Sequence, residues 1–254
     1  MTVLESILQK KKKLVLKAGF KIIQQIEKLI ARFSLVGDQP FYDPAQFPWA
    51  RELEANWEAI RTEALEILER RSVLPSFHDI SPYQQRISDE KWKTFFLYGY
   101  GYKSEKNCRF CPQTTRLIEQ VPGMKTAFFS ILAPHKHIPD HRGPYKGLLR
   151  YHLGVIVPEP KEKCRIRVDD DFAYWEEGKS LIFDDTYRHE VWNDTEGERV
   201  ILFLDVVRPL PFPISWLNSL VIRLVGASSY IQDAKRNQEI WEARFENEAP
   251  EFIG

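Results

Sequence analysis

The chain has little cysteine, no net charge and no long apolar run, and each shortage excludes a class of protein. Three cysteines in 254 residues, Cys108, Cys111 and Cys164, are too few and too odd in number for a disulfide framework. The spacing of Cys108 and Cys111 has no second pair to complete a zinc site, so reduced thiols are expected. Lysine and arginine equal aspartate and glutamate at 36 each, so no overall field favours nucleic acid. No apolar stretch approaches the roughly 20 residues of a membrane-spanning helix. A secretory leader, an internal repeat and a low-complexity tract are likewise missing from the pattern, and a cytoplasmic protein is expected.

The charge that is present is unevenly placed. Residues 1–36 hold eight lysines and arginines (Lys10 to Lys13, Lys17, Lys21, Lys28, Arg32) against Glu5 and Glu27, leaving an acidic remainder. Within this arm Ile22, Ile23, Ile26, Leu29, Ile30 and Phe33 recur at helical spacing. Such a helix suits docking on a domain or lying on an anionic membrane surface. A second helix is expected from Pro44 or Pro48 to about Arg70, with Leu53, Trp57, Ile60, Ala64 and Leu68 on one face. Three regions follow: the basic amphipathic arm 1–36, a body 37–210 that begins with this support helix, and a helical extension 211–254. The extension holds an apolar segment, Ile214–Val225, interfacial or packed on the core, then a polar helix over Asp233–Phe245.

Between Trp92 and Pro209 short strands alternate with turn signals. The runs are Lys91–Tyr98, Lys125–Leu132, Leu148–Val157, Cys164–Val168, Phe172–Trp175, Ser180–Phe183, His189–Asn193 and Arg199–Val206. Eight strands without interleaved helices predict a mainly β fold, a jelly roll. Ala133–Pro139 is predicted as a loop carrying His135 and His137 to solvent, His78 as an isolated loop histidine, Asp169–Asp171 as a hairpin turn, and Asp184-Asp185 as a turn cap.

Alternation along the strands exposes the chemistry. Arg150 and His152 are two apart and share a face, as do Arg199, Ile201 and Phe203. A guanidinium and an imidazole on the inner face of an apolar strand are costly unless an anion meets them. His141 and His189 stand at strand edges, where neutral imidazoles make ligands for Fe(II) or Zn(II). The turn Asn193–Glu198 is expected to fold the last strand back as a hairpin beside His189, which brings Arg199 near the metal candidate as a fork for a diacid that chelates the metal; the alternative for Arg199 is a surface ion pair such as one with Glu198.

"HRGPYKGLLRYHLGVIVP", "WEEGKSLIFDDTYRHEVWND" and "RVILFLDVVRP" together resemble the aspartyl/asparaginyl β-hydroxylase family of Fe(II)- and 2-oxoglutarate-dependent dioxygenases over roughly residues 90–210. The resemblance implies a double-stranded β-helix core with flanking N- and C-terminal helices. It implies iron held by His141 and His189, the distal carboxylate of 2-oxoglutarate on Arg199, and cosubstrate contacts from Ser130, Arg150 and His152. Dioxygen and 2-oxoglutarate would then be consumed to hydroxylate an unactivated C–H bond, with succinate and CO2 released. Gly143 departs from the wider superfamily, which has a carboxylate ligand two residues after the first histidine. The animal peptide hydroxylases of the family share this glycine, whereas bacterial lipid A hydroxylases, similar in "LRYHLG", usually have aspartate. The substrate implied is thus the β-carbon of an aspartyl or asparaginyl residue or an amino-acid-like molecule. The alternatives are a lipid acyl chain, with peripheral contact at a membrane surface, and a non-catalytic sensor of a small diacid that Gly143 would permit.

Overall fold

The computed structural model describes residue 19 and residues 21–248; the lysine run at 10–17 lies outside the described residues. Helix α1 (21–33) leads to β1 (Phe41–Tyr42), α2 (Ala50–Ala55), α3 (Trp57–Leu68) and α4 (Phe77–Ile80). Then follow β2 (Trp92–Gly99), β3 (Tyr102–Lys103), α5 (Glu105–Phe110), α6 (Pro112–Ile118), β4 (Met124–Leu132), β5 (Lys136–His141) and β6 (Leu148–Ile156). The chain continues through β7 (Cys164–Val168), β8 (Asp171–Tyr174), β9 (Ser180–Phe183), β10 (His189–Asn193) and β11 (Arg199–Val207), and ends in α7 (Ile214–Gly226) and α8 (Ser229–Glu248).

The strands form a seven-stranded sheet ordered β1-β9-β6-β11-β4-β2-β3 and a four-stranded sheet ordered β5-β10-β7-β8. The pairings between these strands are antiparallel, and β4 to β11 divide four and four between the two sheets, alternating except at the β7–β8 hairpin. That is a double-stranded β-helix, the jelly roll expected. The large sheet is buried on both faces. Leu149, Tyr151, Leu153 and Val155 of β6 pack outward on the helix layer, in one core with Ile60, Ala64 and Ile67 of α3. Its inner face meets the small sheet through Phe128, Leu132, Phe183, Ile201 and Phe203 against Ile138, Ile166, Val168 and Val191. The small sheet is wet on its outer side, and β7 reads Cys-Arg-Ile-Arg-Val with the arginines outermost. There Arg167 pairs with Glu190 and Asp140, and Arg165 with Asp194.

Four expectations need correction. The predicted loop Ala133–Pro139 is largely a strand, β5. It lies at the edge of the small sheet, the one place where Pro139, lacking an N–H, costs no ladder bond. His137 still points to solvent, stacked on Trp192. The first predicted strand, β2, belongs to the flank of the large sheet, so β5 replaces it among the eight core strands. The single support helix is two helices, because Asn56 leaves helical geometry and its side chain donates to the Glu52 carbonyl at 2.8 Å. Residues 194–198 make no hairpin: β10 and β11 lie in different sheets. The buried Asn193 amide stitches that crossing, donating to the carbonyls of Leu132, Ala133 and Gly197.

Asp184 caps its turn as expected, accepting from the Thr186 N–H at 2.9 Å, and it does more. Fully buried, its carboxylate meets Arg208 and, at 2.7 Å, Lys146, while Arg208 also donates to the Tyr42 hydroxyl at 2.8 Å. Removing one partner of such a network strands a buried charge. Asp184→Ala is therefore expected to cost about 3–5 kcal/mol, read as a lowered denaturant midpoint at unchanged m-value.

Candidate active site

The mouth of the barrel is set by β5 and β10, whose register pairs His141 directly with His189. Their rings lie 4.1 Å apart between centroids. Each is oriented in the same way: His141 Nδ1 is 2.8 Å from the Pro139 carbonyl, and His189 Nδ1 is 3.0 Å from that of Tyr187. A carbonyl only accepts, so both Nδ1 atoms carry the hydrogen and both Nε2 atoms keep a lone pair. Burial holds both imidazoles below their ordinary range, His189 at about 3, with its neighbour His141 adding to the effect. Both are thus neutral at pH 7, the state that binds a metal ion.

Below them the antiparallel pairing of β6 with β11 makes a ladder of inward side chains. From mouth to floor β11 presents Asp205, Phe203, Ile201 and Arg199, opposite Arg150, His152 and Gly154 of β6. Arg150 lies 3.1 Å from Asp205 and 2.6 Å from Asp185. His152 is enclosed by Phe203, Phe183 and Trp175, with both ring nitrogens unpartnered. Burial, then Arg199 and Arg150, holds it well below the usual imidazole range. Ser130 sits on the inner face of β4; its Oγ accepts from Trp92 Nε1 at 3.0 Å, which leaves its own hydrogen available.

Arg199 closes the floor. It is 2% exposed, its Cζ lies 4.6 Å above the Trp175 ring, and its Nε and Nη1 have no hydrogen-bond partner. No carboxylate offsets its burial, which drags the guanidinium down to about 10. The ion pair with Glu198 is absent, since Glu198 faces Arg71 instead. An arginine fork in an apolar floor, unmatched by any acid, is costly alone and chemically suited to an anion. The donors present therefore fit both groups implied by the sequence: two free Nε2 atoms for a ferrous ion, and an orphaned guanidinium for the far end of a keto diacid.

His141, His189, Arg150, His152, Ser130 and Arg199 thus all lie on the inner side of the barrel, His141 and Arg150 on its open cavity, although Arg199 lies a strand's length below the histidines and not beside them. Asp205 and Asp185 were missed. Asp205 was legible, since it continues the alternation Arg199, Ile201, Phe203 on a strand otherwise apolar. Asp185 was not, because its partner is set by tertiary contact. Burial pushes its carboxyl up to about 6 in spite of Arg150. Its carboxylate fills the space above Gly143, where an added Cβ would lie 2.1 Å from Asp185 Oδ2. Gly143→Asp is accordingly expected to overpack the mouth by about 1–3 kcal/mol instead of supplying a third ligand. A lowered Tm in G143D, partly recovered in G143D/D185G, checks this.

The cavity above the ladder has a volume of about 170 Å³ and is walled by Phe77, Trp92, Phe96, Phe128 and Phe203, with Ile231 and Ala234 of α8 along one side. The wall also carries charge at Arg142, Arg150, Asp185, Asp205 and Lys235 and polar groups such as Gln84, Thr126 and Gln238. His78 lies elsewhere and is not isolated: its Nδ1 is 3.2 Å from Ser88 Oγ, and Asp79 and Glu90 are close enough to share an ion with it. Glu90 is already bound by Lys93 and Ser76. All three cysteines are free and buried.

The aspartyl/asparaginyl β-hydroxylase family profile matches residues 54–209. An ornithine lipid ester-linked acyl 2-hydroxylase of Rhizobium tropici is 48% identical over 232 residues, 91% of this chain and 83% of that protein. Human aspartyl/asparaginyl beta-hydroxylase is 35% identical over 67% of this chain, a match that spans only 23% of the human protein. Among solved structures, a prolyl-4-hydroxylase of Pseudomonas putida aligns with 60% of this chain and 87% of its own at 16% identity and a TM-score of 0.42, too distant to add to what the sheets display. With the profile covering most of the chain, and the paired imidazoles and inner ladder inside the matched span, this protein belongs to the aspartyl/asparaginyl β-hydroxylase family.

Proposed function

We propose that this protein is an Fe(II)- and 2-oxoglutarate-dependent hydroxylase of an acyl chain in a polar membrane lipid. The observation that carries the chemistry is the buried Arg199, its Nε and Nη1 unpartnered, at the floor of a barrel whose mouth holds two neutral imidazoles with free Nε2 atoms. His141 and His189 hold the iron. When bound, iron with 2-oxoglutarate and dioxygen supplies the oxidising power for an unactivated C–H bond. Arg199 takes the distal carboxylate of 2-oxoglutarate, with Ser130 donating nearby, and Trp175 keeps the guanidinium flat beneath it. His152 and Arg150 orient the other end of the cosubstrate. The aromatic wall excludes water, so the reaction is confined to the C–H bond presented.

Two observations favour the acyl chain over the aspartyl or asparaginyl side chain. Much of the cavity wall is aromatic or aliphatic, and its arginines are engaged, Arg150 by Asp185 and Asp205 and Arg142 by Glu27. The match to the lipid hydroxylase covers 232 residues and so runs past the family domain at 54–209 into the flanking segments. Gly143, which leaned toward a peptide substrate, is accounted for by Asp185 alone. Incubation with Fe(II), 2-oxoglutarate and ornithine lipid is expected to add one oxygen to an acyl fragment by mass spectrometry, matched by succinate. Oxygen appearing instead on aspartyl peptides would replace the acyl reading with the family's peptide one.

A further inference from the structure

Helix α7 is more apolar outside than packing requires. Phe212, Trp216, Leu220 and Leu224 recur every fourth residue and are 82%, 64%, 41% and 65% exposed, while Asn218, Val221 and Ile222 are buried beneath them. Helix α1 packs on the same small core through Ile23, Ile26 and Ile30, and leaves Ile22, Leu29 and Phe33 outermost. Among the described residues, every exposed charge on these two helices is basic: Lys21, Lys28, Arg32 and Arg223. Their one acid, Glu27, is turned inward against Arg142 and the Lys146 N–H. Between the helices lies a second cavity of about 140 Å³, lined by Ile23, Tyr145, Leu148, Val221, Ile222 and Val225. It ends on Arg150, Asp185 and Asp205, the same charged trio that borders the active-site cavity.

An apolar ridge bearing a tryptophan, rimmed by cations, with an apolar passage to a hydroxylation site, is complementary to one surface in particular. We propose that α1 and α7 form the face on which this protein seats on an anionic lipid bilayer, and that the cavity between them is the passage by which an acyl chain reaches the site. The proposal rests on the acyl-lipid reading of that site. A second copy of the chain is a poor occupant, since a two-fold interface would set each basic rim against its like. No helix among the described residues is long and apolar enough to cross a membrane, so contact through this face is peripheral.

The full chain is tested by flotation with vesicles of phosphatidylcholine alone or mixed with phosphatidylglycerol. The wild type is expected to float with the mixed vesicles, and Trp216→Ser/Leu224→Ser to reduce the bound fraction at least about tenfold with 2-oxoglutarate affinity unchanged. Val225→Trp, which narrows the passage, is expected to keep vesicle binding and lose hydroxylation of vesicle lipid. A double variant that floats like the wild type, or a V225W enzyme of full rate, overturns the proposal. So does a dimer in sedimentation equilibrium, indifferent to vesicles, that W216S/L224S dissolves. Calorimetry of the wild type with 2-oxoglutarate separates the two levels: binding of cosubstrate without vesicles removes the docking face alone, and vesicle binding without cosubstrate supports the face while removing the reading of the site beneath it.

Discussion

Replacing Arg199 by methionine is expected to make the protein more stable and unable to bind 2-oxoglutarate. The two effects have one cause. Without a ligand the guanidinium is buried with Nε and Nη1 unpartnered, and the Trp175 face compensates it in part. Exchanging a poorly matched buried charge for an apolar side chain of similar volume commonly stabilises by about 1–4 kcal/mol, several degrees in Tm for a chain of this size. The same exchange deletes the fork for the distal carboxylate. Losing one partner of a buried, hydrogen-bonded charge pair costs about 2–5 kcal/mol, a 30-fold to several-thousand-fold rise in Kd. Thermal melts and calorimetry on one preparation read both. 2-Oxoglutarate is correspondingly expected to raise the Tm of the wild type and leave R199M unmoved. A destabilised R199M that still binds 2-oxoglutarate would contradict the assignment.

The second large effect is expected from His141→Ala/His189→Ala. With Gly143 in the third position and Asp185 held by Arg150, these imidazoles are the protein's only ligands at the mouth in the proposed arrangement. Losing both is expected to weaken Mn(II) binding, followed by electron paramagnetic resonance, by more than the roughly 10- to 100-fold that an outer-shell partner is worth. Turnover of 2-oxoglutarate should fall to background. The wild-type affinity has a pH signature of its own. Both imidazoles are depressed, His189 to about 3, so protons compete with the metal only below the usual histidine range. Mn(II) affinity is therefore expected to stay nearly flat from pH 8 down to about 6.5, the ordinary imidazole value. A loss of about fourfold by pH 6.5, the amount two half-protonated rings would cost, would mean that they are ordinary exposed histidines.

Much of this arrangement was legible in the sequence because a strand has period two. Alternation alone put Arg150, His152 and Arg199 on inner faces, and the turn signals located seven of the eight core strands. Legibility failed where tertiary placement decides. Pro139 and two histidines disguised β5, whose edge position no local pattern reveals. Adjacency in sequence suggested that His189 and Arg199 lie side by side, whereas the crossing at 194–198 puts them at opposite ends of the barrel. Gly143 read as a missing ligand, and its cause, the Asp185 carboxylate packed above it, comes from a residue 42 positions along the chain. The sequence leaves helix α1 either docked on the domain or lying on a membrane; the structure docks Ile30 in the core and leaves Ile22 and Phe33 open.

The most direct test is a crystal structure of the protein loaded with Mn(II) and 2-oxoglutarate under anaerobic conditions. One ion is expected on the Nε2 atoms of His141 and His189, with the keto acid end of 2-oxoglutarate toward it and the distal carboxylate on the Arg199 guanidinium. An ion bound elsewhere, or a carboxylate that leaves Arg199 unpaired, would contradict the account.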